Sequence, residues 1–372
     1  MSKIIIIGAF SESLLNFRGD LLKAFVSAGH EVTAMAGEDS PLVRSALAGM
    51  GVNFKIYPVQ RSGLNPFKDL QTFFALRQAL RALKPDVVLV YTIKPIIWSG
   101  LALRGNSESC FYALVTGLGF AFQDGSLIRR LLSALVTWLY RVSLSRSARV
   151  IFQNPDNRQF FISKHIAPEK KCFFVNGSGV DLAHFDKAEL PAEGLIFLAV
   201  GRLLGEKGFR EYAKAARMVK ERYPSAVFRL VGPSDPSPDG ISLAEVRKWQ
   251  NAGWVEFFGP ADDVRPHLAH CHIYVLPSYH EGMPRTVLEA MAMGRPILTT
   301  DVPGCRETVI PGANGFLVPK ANTKALAERM IWFIEHREKW QRMGYRSRQM
   351  AEEKFDVHKI NHEMMRIMEL EE

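Results

Sequence analysis

Twice along this chain, short apolar runs rich in β-branched residues alternate with stretches of helical periodicity. The first series opens with residues 3–7 and continues through 30–36, 52–57, 86–91, a strand ending at Val115, 150–153 and 172–175, with helices expected over 18–28 and 69–83. The second runs through 195–201, 226–232, 256–258, 273–276 and 296–299, with helices over 209–222, 263–270 and 286–293. Most of these runs lack polar alternation, so both faces of each strand must be covered, as in a parallel sheet wrapped by crossover helices. The expected fold class is therefore α/β, two doubly wound Rossmann-like domains in series, facing a cleft. The turn-rich stretch Asn176-Gly177-Ser178-Gly179-Val180-Asp181 places the boundary, giving domains 1–178 and 179–354. Residues 8–17 read as a loop, and 233–240, rich in Pro, Ser and Asp, as a loop of little order.

In doubly wound sheets ligands bind beyond the carboxyl ends of the strands. After residues 273–276 comes Pro277-Ser278-Tyr279-His280, then Glu281-Gly282-Met283-Pro284-Arg285-Thr286-Val287-Leu288-Glu289, then Gly294. Pro284 suits a first helical turn. The N–H groups of Arg285, Thr286 and Val287 would then face an anion, phosphate above all. Glu281 on the loop and Glu289 one turn in are acceptors for sugar and ribose hydroxyls. The plainer alternative is a surface loop before an ordinary Glu-bearing helix. A second cluster, Gly201-Arg202-Leu203-Leu204-Gly205-Glu206-Lys207-Gly208, ends the first strand of the second series. Arg202 and Lys207 there suit diphosphate oxygens, and would stabilise charge developing on a leaving diphosphate. A solvated basic turn is the plainer alternative.

Charge is unevenly spread: residues 1–176 hold 21 Lys+Arg and 11 Asp+Glu, the remainder 26 and 27, which is +10 against −1. Residues 127–149 carry Arg129, Arg130, Arg141, Arg146 and Arg149 and no acid, with Arg130, Ser133, Thr137, Arg141 and Ser145 forming a narrow polar stripe on an apolar helix. That is either a domain helix packed on the sheet or an interfacial helix on anionic lipid, and the two coexist if one edge faces lipid. No run has the length of a membrane span, and the start reads as a strand rather than a signal peptide. The loop Gly8-Ala9-Phe10-Ser11-Glu12-Ser13 is not a dinucleotide fingerprint, and Gly117-Leu118-Gly119 is not completed by a third glycine. Four scattered cysteines suggest neither zinc nor disulfides, and His358 and His362 stand four apart without further ligands, so no metal and no cofactor is expected.

Gly201-Arg202, Glu206-Lys207-Gly208 and the Glu281–Glu289 spacing together resemble glycosyltransferase family 4, retaining enzymes of the GT-B fold, and the resemblance covers essentially the whole chain. It implies that Arg202 and Lys207 hold a nucleotide diphosphate, that Glu281 and the backbone of Gly282, Met283 and Pro284 contact the donor sugar, and that Glu289 binds the ribose. Asn16-Phe17-Arg18, Thr92-Ile93-Lys94-Pro95 and Val115-Thr116-Gly117-Leu118-Gly119 resemble a bacterial branch that extends sugars on undecaprenyl diphosphate. Its implied acceptor residues are Asn16, Arg18, Lys94, Thr116 and Gly117, its implied donor a UDP-sugar, and its implied transferred sugar an N-acetylhexosamine. The resemblance also implies a helical tail, 355–372, crossing back to the first domain. A cytoplasmic protein, peripheral on the inner face of the cell membrane through residues 127–149, is expected. Many members carry a His near the reacting carbon; 115–119 has none, so no general base is assigned. The chain has no Asp-x-Asp, the usual metal–diphosphate motif, so a metal-independent enzyme is expected. Two alternatives remain: a non-hydrolysing nucleotide-sugar epimerase, and a basic nucleic-acid-binding protein, though the charge follows no recognised nucleic-acid module.

Overall fold

A computed structural model describes residues 1–60, 65–104, 108–118 and 127–371. The chain forms two compact units, one of residues 1–178 with 360–372, the other of 179–359.

The first unit is built from β1 (Lys3–Ile7), α1 (Glu12–Ser27), β2 (Glu31–Ala36), α2 (Pro41–Gly49), β3 (Asn53–Ile56), α3 (Pro66–Leu83), β4 (Val87–Tyr91), α4 (Ile93–Ala102), β5 (Cys110–Val115), α5 (Leu127–Leu144), β6 (Arg149–Phe152), α6 (Pro155–Ser163) and β7 (Cys172–Phe174). All seven strands are parallel, in the order β3-β2-β1-β4-β5-β6-β7. The direction of winding reverses between β1 and β4, the switch point where such sheets take ligands. Leu76, Leu80, Ile96, Val136, Tyr140 and Phe161 cover one face of the sheet. Leu14, Leu22, Phe25 and Leu47 cover the other. Pro66 opens α3 beside Asn65, whose side chain accepts from the amides of Phe67 and Lys68 at 3.1 and 3.3 Å. That is the favoured cap-and-proline start of a helix.

The second unit holds β8 (Ile196–Val200), α7 (Phe209–Arg222), β9 (Val227–Val231), α8 (Leu243–Asn251), β10 (Glu256–Phe257), α9 (Arg265–Ala269), β11 (Ile273–Leu276), α10 (Arg285–Ala292), β12 (Ile297–Thr300), β13 (Gly315–Val318), α11 (Thr323–Glu335) and α12 (Trp340–Met350). Its parallel order is β10-β9-β8-β11-β12-β13. β8 and β11 are therefore neighbours, and the two loops singled out in the sequence leave the sheet side by side.

The last helix, α13 (Val357–Ile367), is shared between the units. The division falls after Lys359, not after residue 354. The amide of Val180 donates to the Phe355 carbonyl at 2.8 Å and that of Val357 to the Val180 carbonyl at 3.1 Å, which keeps this stretch in the second unit. From Ile360 on, Ile360, Met364, Ile367 and Met368 join the first unit's core, and the Tyr112 hydroxyl donates to the Met368 carbonyl at 2.9 Å.

Two loop readings are corrected. α1 begins at Glu12, inside the expected loop 8–17, because Leu14 shares a buried stripe with Leu21, Leu22 and Phe25. Residues 233–240 are tied down rather than loose. The amide of Leu203 donates to the Pro233 carbonyl at 2.9 Å, that of Gly205 to the Asp239 carbonyl at 2.9 Å, and that of Glu206 to the Asp239 carboxylate at 2.7 Å.

Candidate active site

Gly201 closes β8 and Gly208 starts α7 in the left-handed region, φ 71°. A Cβ on Gly208 would lie 2.0 Å from the Pro277 carbonyl oxygen, so only glycine lets the loops after β8 and β11 meet here. Tyr279 donates its amide to the Glu206 carbonyl at 2.7 Å, and the Ser278 hydroxyl donates to the same carbonyl at 3.2 Å. These bonds fix the start of the 277–285 loop relative to Lys207.

The result is an ion pair between the Lys207 ammonium and the Glu281 carboxylate, both largely buried. Arg202 pairs instead with Asp235 on the loop after β9. Burial pushes Asp235 up, but the Ser237 hydroxyl and amide and the Arg202 guanidinium outweigh it, leaving the carboxyl below its ordinary value. Asp235 was not singled out in the sequence, since 233–240 carried no helical or strand pattern to place it. The structure thus joins Lys207 to Glu281 and gives Arg202 a separate partner.

α10 starts one residue earlier than expected, with Pro284 as its cap at φ −75°, ψ 103°. The Val287 amide donates to the Pro284 carbonyl at 3.0 Å, and the Val287 side chain is fully buried. The expectation that Val287 offers its amide to a ligand is thereby corrected: a cap in extended geometry turns its carbonyl back onto the first turn. Arg285 and Thr286 begin the helix at its positive end, while Gly282 and Met283 lie half-buried on the approach. Gly304 packs against this approach: a Cβ there would come 2.6 Å from the Gly282 carbonyl oxygen.

Glu289 lies one turn into α10, buried, with Oε1 3.0 Å from Nε of Arg285. Burial pushes its carboxyl up to about 7, against the opposing pull of Arg285. Beneath both carboxylates, the buried Tyr274 hydroxyl donates to the Val200 carbonyl at 3.3 Å and bonds Thr286, tying β8, β11 and α10 into one floor. Burial lowers the His280 pKa from its ordinary value, opposed by Glu281 and Glu206 and reinforced by Lys207 and Lys320. Tyr279 and His280 also border an open depression of about 550 Å³ lined by Asp301, Arg306 and Lys320, for which the sequence gave no signal.

In the first unit, Arg18 is buried at the switch point. Its Nη1 donates to Ser178 Oγ at 3.0 Å, and its guanidinium lies 5.1 Å from the Tyr91 ring centre. Gln153 donates to the same Ser178 oxygen at 3.2 Å. Asn16 is not part of this group. Two helical residues apart means about 200° around α1, so Asn16 is exposed to solvent while Arg18 is buried. Lys94, on the first turn of α4, pairs with Asp69 of α3 at 2.7 Å. Thr116 and Gly117 follow β5, half-buried; Gly119 lies outside the described residues. Thr92, between β4 and α4, has φ 69°, ψ 155°, a conformation rare for any residue but glycine, and among the described residues its buried hydroxyl has no hydrogen-bond partner. Strain and an orphaned hydroxyl at a switch point single out Thr92 within the quoted stretch 92–95, to which the sequence assigned no role of its own.

α5 keeps Val136, Tyr140 and Leu144 on the sheet, while Leu131, Leu135 and Trp138 are exposed beside Arg130 and Arg141. Ser133 and Thr137 of the expected polar stripe are half-buried, so the helix turns part of its apolar surface outward. The side chain of Arg129 lies outside the described residues. Among the described residues no helix is long and apolar enough to cross a membrane, and no cluster of three or more metal-binding side chains occurs.

The fold is the GT-B architecture: two Rossmann-like halves, with paired cations and carboxylates at the strand ends of the second. Solved structures agree on the fold. Sucrose-phosphate synthase from Thermosynechococcus elongatus superposes with TM-score 0.81 at 20% identity, covering 99% of this chain and 98% of that one. Anabaena HepE in complex with UDP superposes with TM-score 0.79 at 17% identity, covering 99% of each chain.

Family models described as "Glycosyl transferases group 1" and "Glycosyl transferase 4-like domain" match residues 181–350 and 17–177. The N,N'-diacetylbacillosaminyl-diphospho-undecaprenol alpha-1,3-N-acetylgalactosaminyltransferase of Campylobacter jejuni is 31% identical over 336 residues, 87% of either chain. The UDP-Gal:alpha-D-GlcNAc-diphosphoundecaprenol alpha-1,3-galactosyltransferase of Escherichia coli is 26% identical over 280 residues, 70% of this chain and 69% of its own. The chain belongs to the group 1 glycosyl transferases with a 4-like first domain, and is a glycosyltransferase.

Proposed function

We propose that this glycosyltransferase moves an N-acetylhexosamine from a UDP-linked donor to an undecaprenyl-diphosphate-linked saccharide, with retention of configuration and without a metal, in bacterial surface-glycan or glycoprotein assembly. The observation that carries the reading is the Lys207–Glu281 pair beside the start of α10, with Glu289 one turn further in. In this reading Lys207 and Arg202 take the diphosphate, aided by the backbone ahead of Thr286. Glu281 turns to the donor sugar's hydroxyls and Glu289 to the ribose. As the sugar–phosphate bond breaks, charge grows on the leaving diphosphate, and the fixed cations stabilise that state more than the ground state. The leaving phosphate oxygen takes the acceptor proton, so no separate general base is required. Arg18, Lys94, Thr92, Thr116 and Gly117, all at the carboxyl edge of the first unit's sheet, receive the acceptor.

The Campylobacter and Escherichia relatives are named for transfer onto diphospho-undecaprenol sugars in alpha-1,3 linkage, which supports both the acceptor class and retention from an α-linked UDP donor. Solved complexes of HepE with UDP and with UDP-glucose support the nucleotide. The basic first half and α5 fit a peripheral position on the inner, cytoplasmic face of the cell membrane. The test is transfer from UDP-N-acetylgalactosamine and UDP-N-acetylglucosamine to a synthetic prenyl-diphosphate-linked sugar, with the anomeric configuration read by NMR. An α-linked product supports the reading; a β-linked product, or transfer from GDP-sugars alone, contradicts it.

A further inference from the structure

α3 carries a second line of exposed apolar side chains that the sequence pattern of 127–149 did not include. Phe67, Leu70 and Phe74 are 83%, 49% and 59% exposed, and Leu131, Leu135 and Trp138 of α5 are 73%, 53% and 56% exposed. The spacings i, i+3, i+7 and i, i+4, i+7 each put three residues on one line along a helix. Neither line is needed to hold its helix. α3 is seated on the sheet by Thr72, Leu76 and Leu80, and α5 by Val136, Tyr140 and Leu144.

The two helices flank α4 on the same face of the sheet. α4 is recessed and packed tightly. A Cβ on its Gly100 would come 2.6 Å from the Ser143 carbonyl oxygen of α5, and its Trp98 ring lies edge-on to Phe73 of α3 at 6.4 Å. At usual helix spacings the two lines run about 16–20 Å apart. Both helices begin at the carboxyl edge of the parallel sheet, where Lys94 and Thr116 also lie, and Phe67 to Phe74 occupy the first half of α3.

The charge on these three helices is almost all of one sign. They hold Lys68, Arg77, Arg81, Lys94, Arg129, Arg130 and Arg141 against a single acid, Asp69, which is already paired with Lys94. Lys68 and Arg81 are exposed on α3, as Arg130 is on α5. Large apolar side chains and Trp at the surface, beside cations that far outnumber the single acid of these three helices, fit the headgroup region of an anionic bilayer. A protein partner would be met by paired acids and bases; on these helices the single acid, Asp69, is already paired with Lys94.

We propose that α3 and α5 form a two-railed face that lies on an anionic lipid bilayer, with α3 supplying Phe67, Leu70 and Phe74 as the second rail. The proposal rests on the interfacial reading of 127–149 and extends it. Two rails resist rocking about either helix axis, and so hold the carboxyl edge of this sheet at a fixed height above the headgroups, where a lipid-borne diphosphate emerges.

The test is cosedimentation of the full chain with vesicles of phosphatidylglycerol and phosphatidylethanolamine, and with phosphatidylcholine alone. The variants are F67S/F74S on α3 and L131S/W138S on α5, all at exposed positions, with circular dichroism as the check on folding. The wild type is expected to bind the anionic vesicles, less so in high salt, and each double variant to lose about tenfold or more in partition. If F67S/F74S binds like the wild type while L131S/W138S does not, the α3 rail is overturned and the interfacial reading of α5 stands. If the wild type binds neither vesicle, both fall. If F67S/F74S instead dissolves a dimer seen without vesicles and leaves vesicle binding intact, the face belongs to a second copy of the chain and the proposal is overturned.

Discussion

Replacing Glu289 by glutamine is expected to make the second unit relatively more heat-resistant above neutral pH while weakening nucleotide binding. Glu289 has an ordinary value of 4.5 and is pushed up to about 7 by burial. The folded unit therefore holds the proton more tightly than the unfolded chain. Stability from this group is complete below pH 4.5 and is lost as pH rises through about 7. The full loss is about 3 kcal/mol, at roughly 1.4 kcal/mol per unit, and about 2 kcal/mol of it falls between pH 5.5 and 8.5. Glutamine does not titrate, so the variant lacks this slope. In calorimetry without nucleotide, the Tm of Glu289→Gln minus that of the wild type is expected to rise by about 4–8 °C from pH 5.5 to 8.5, the sensitivity typical of a unit this size. A difference that stays flat, or falls with pH, refutes the idea that Glu289 is a buried acid kept for its ligand.

Other outcomes follow from the same geometry. Gly208→Ala places a Cβ 2.0 Å from the Pro277 carbonyl oxygen at φ 71° and is expected to cost more than about 2 kcal/mol and to weaken nucleotide binding, measured by denaturant unfolding and titration. EDTA is expected to leave transfer intact if, as proposed, cationic side chains and the start of α10 take the diphosphate; loss restored by Mn²⁺ or Mg²⁺ contradicts this. Of the four cysteines only Cys110 is exposed, and burial pushes the thiols of Cys271 and Cys305 up to about 12, so a thiol reagent is expected to label one site in the native protein and four after unfolding.

The loops after β8 and β11 were largely legible because their signals are local. Strand, turn, Pro284, helix and Gly294 lie within one short stretch, and each restricts the backbone in its own way. What escaped depends on distance or on helix phase. Asp235 meets Arg202 through a loop whose hydrogen bonds are to another strand's turn, and no local pattern announces such a partner. Asn16 and Arg18 stand two apart in the sequence, and a helix beginning at Glu12 turns them to opposite sides. Val287 looked available until the cap geometry of Pro284 was known. The outer line of α3 was hidden because its first turn, Asn65-Pro66-Phe67, lies ahead of the periodic stretch 69–83. Thr92 stood inside the quoted stretch 92–95 without a role of its own, since backbone strain leaves no signal in a single sequence.

The most direct test of the site is a binding titration of the purified chain with UDP and with GDP, repeated for Lys207→Ala and Glu289→Ala. UDP is expected to bind the wild type more tightly than GDP, and each variant to lose about tenfold or more, about 1.4 kcal/mol per decade. Variants that bind UDP like the wild type, or a wild type that binds neither nucleotide, contradict the placement of the donor between Lys207, Glu281 and Glu289.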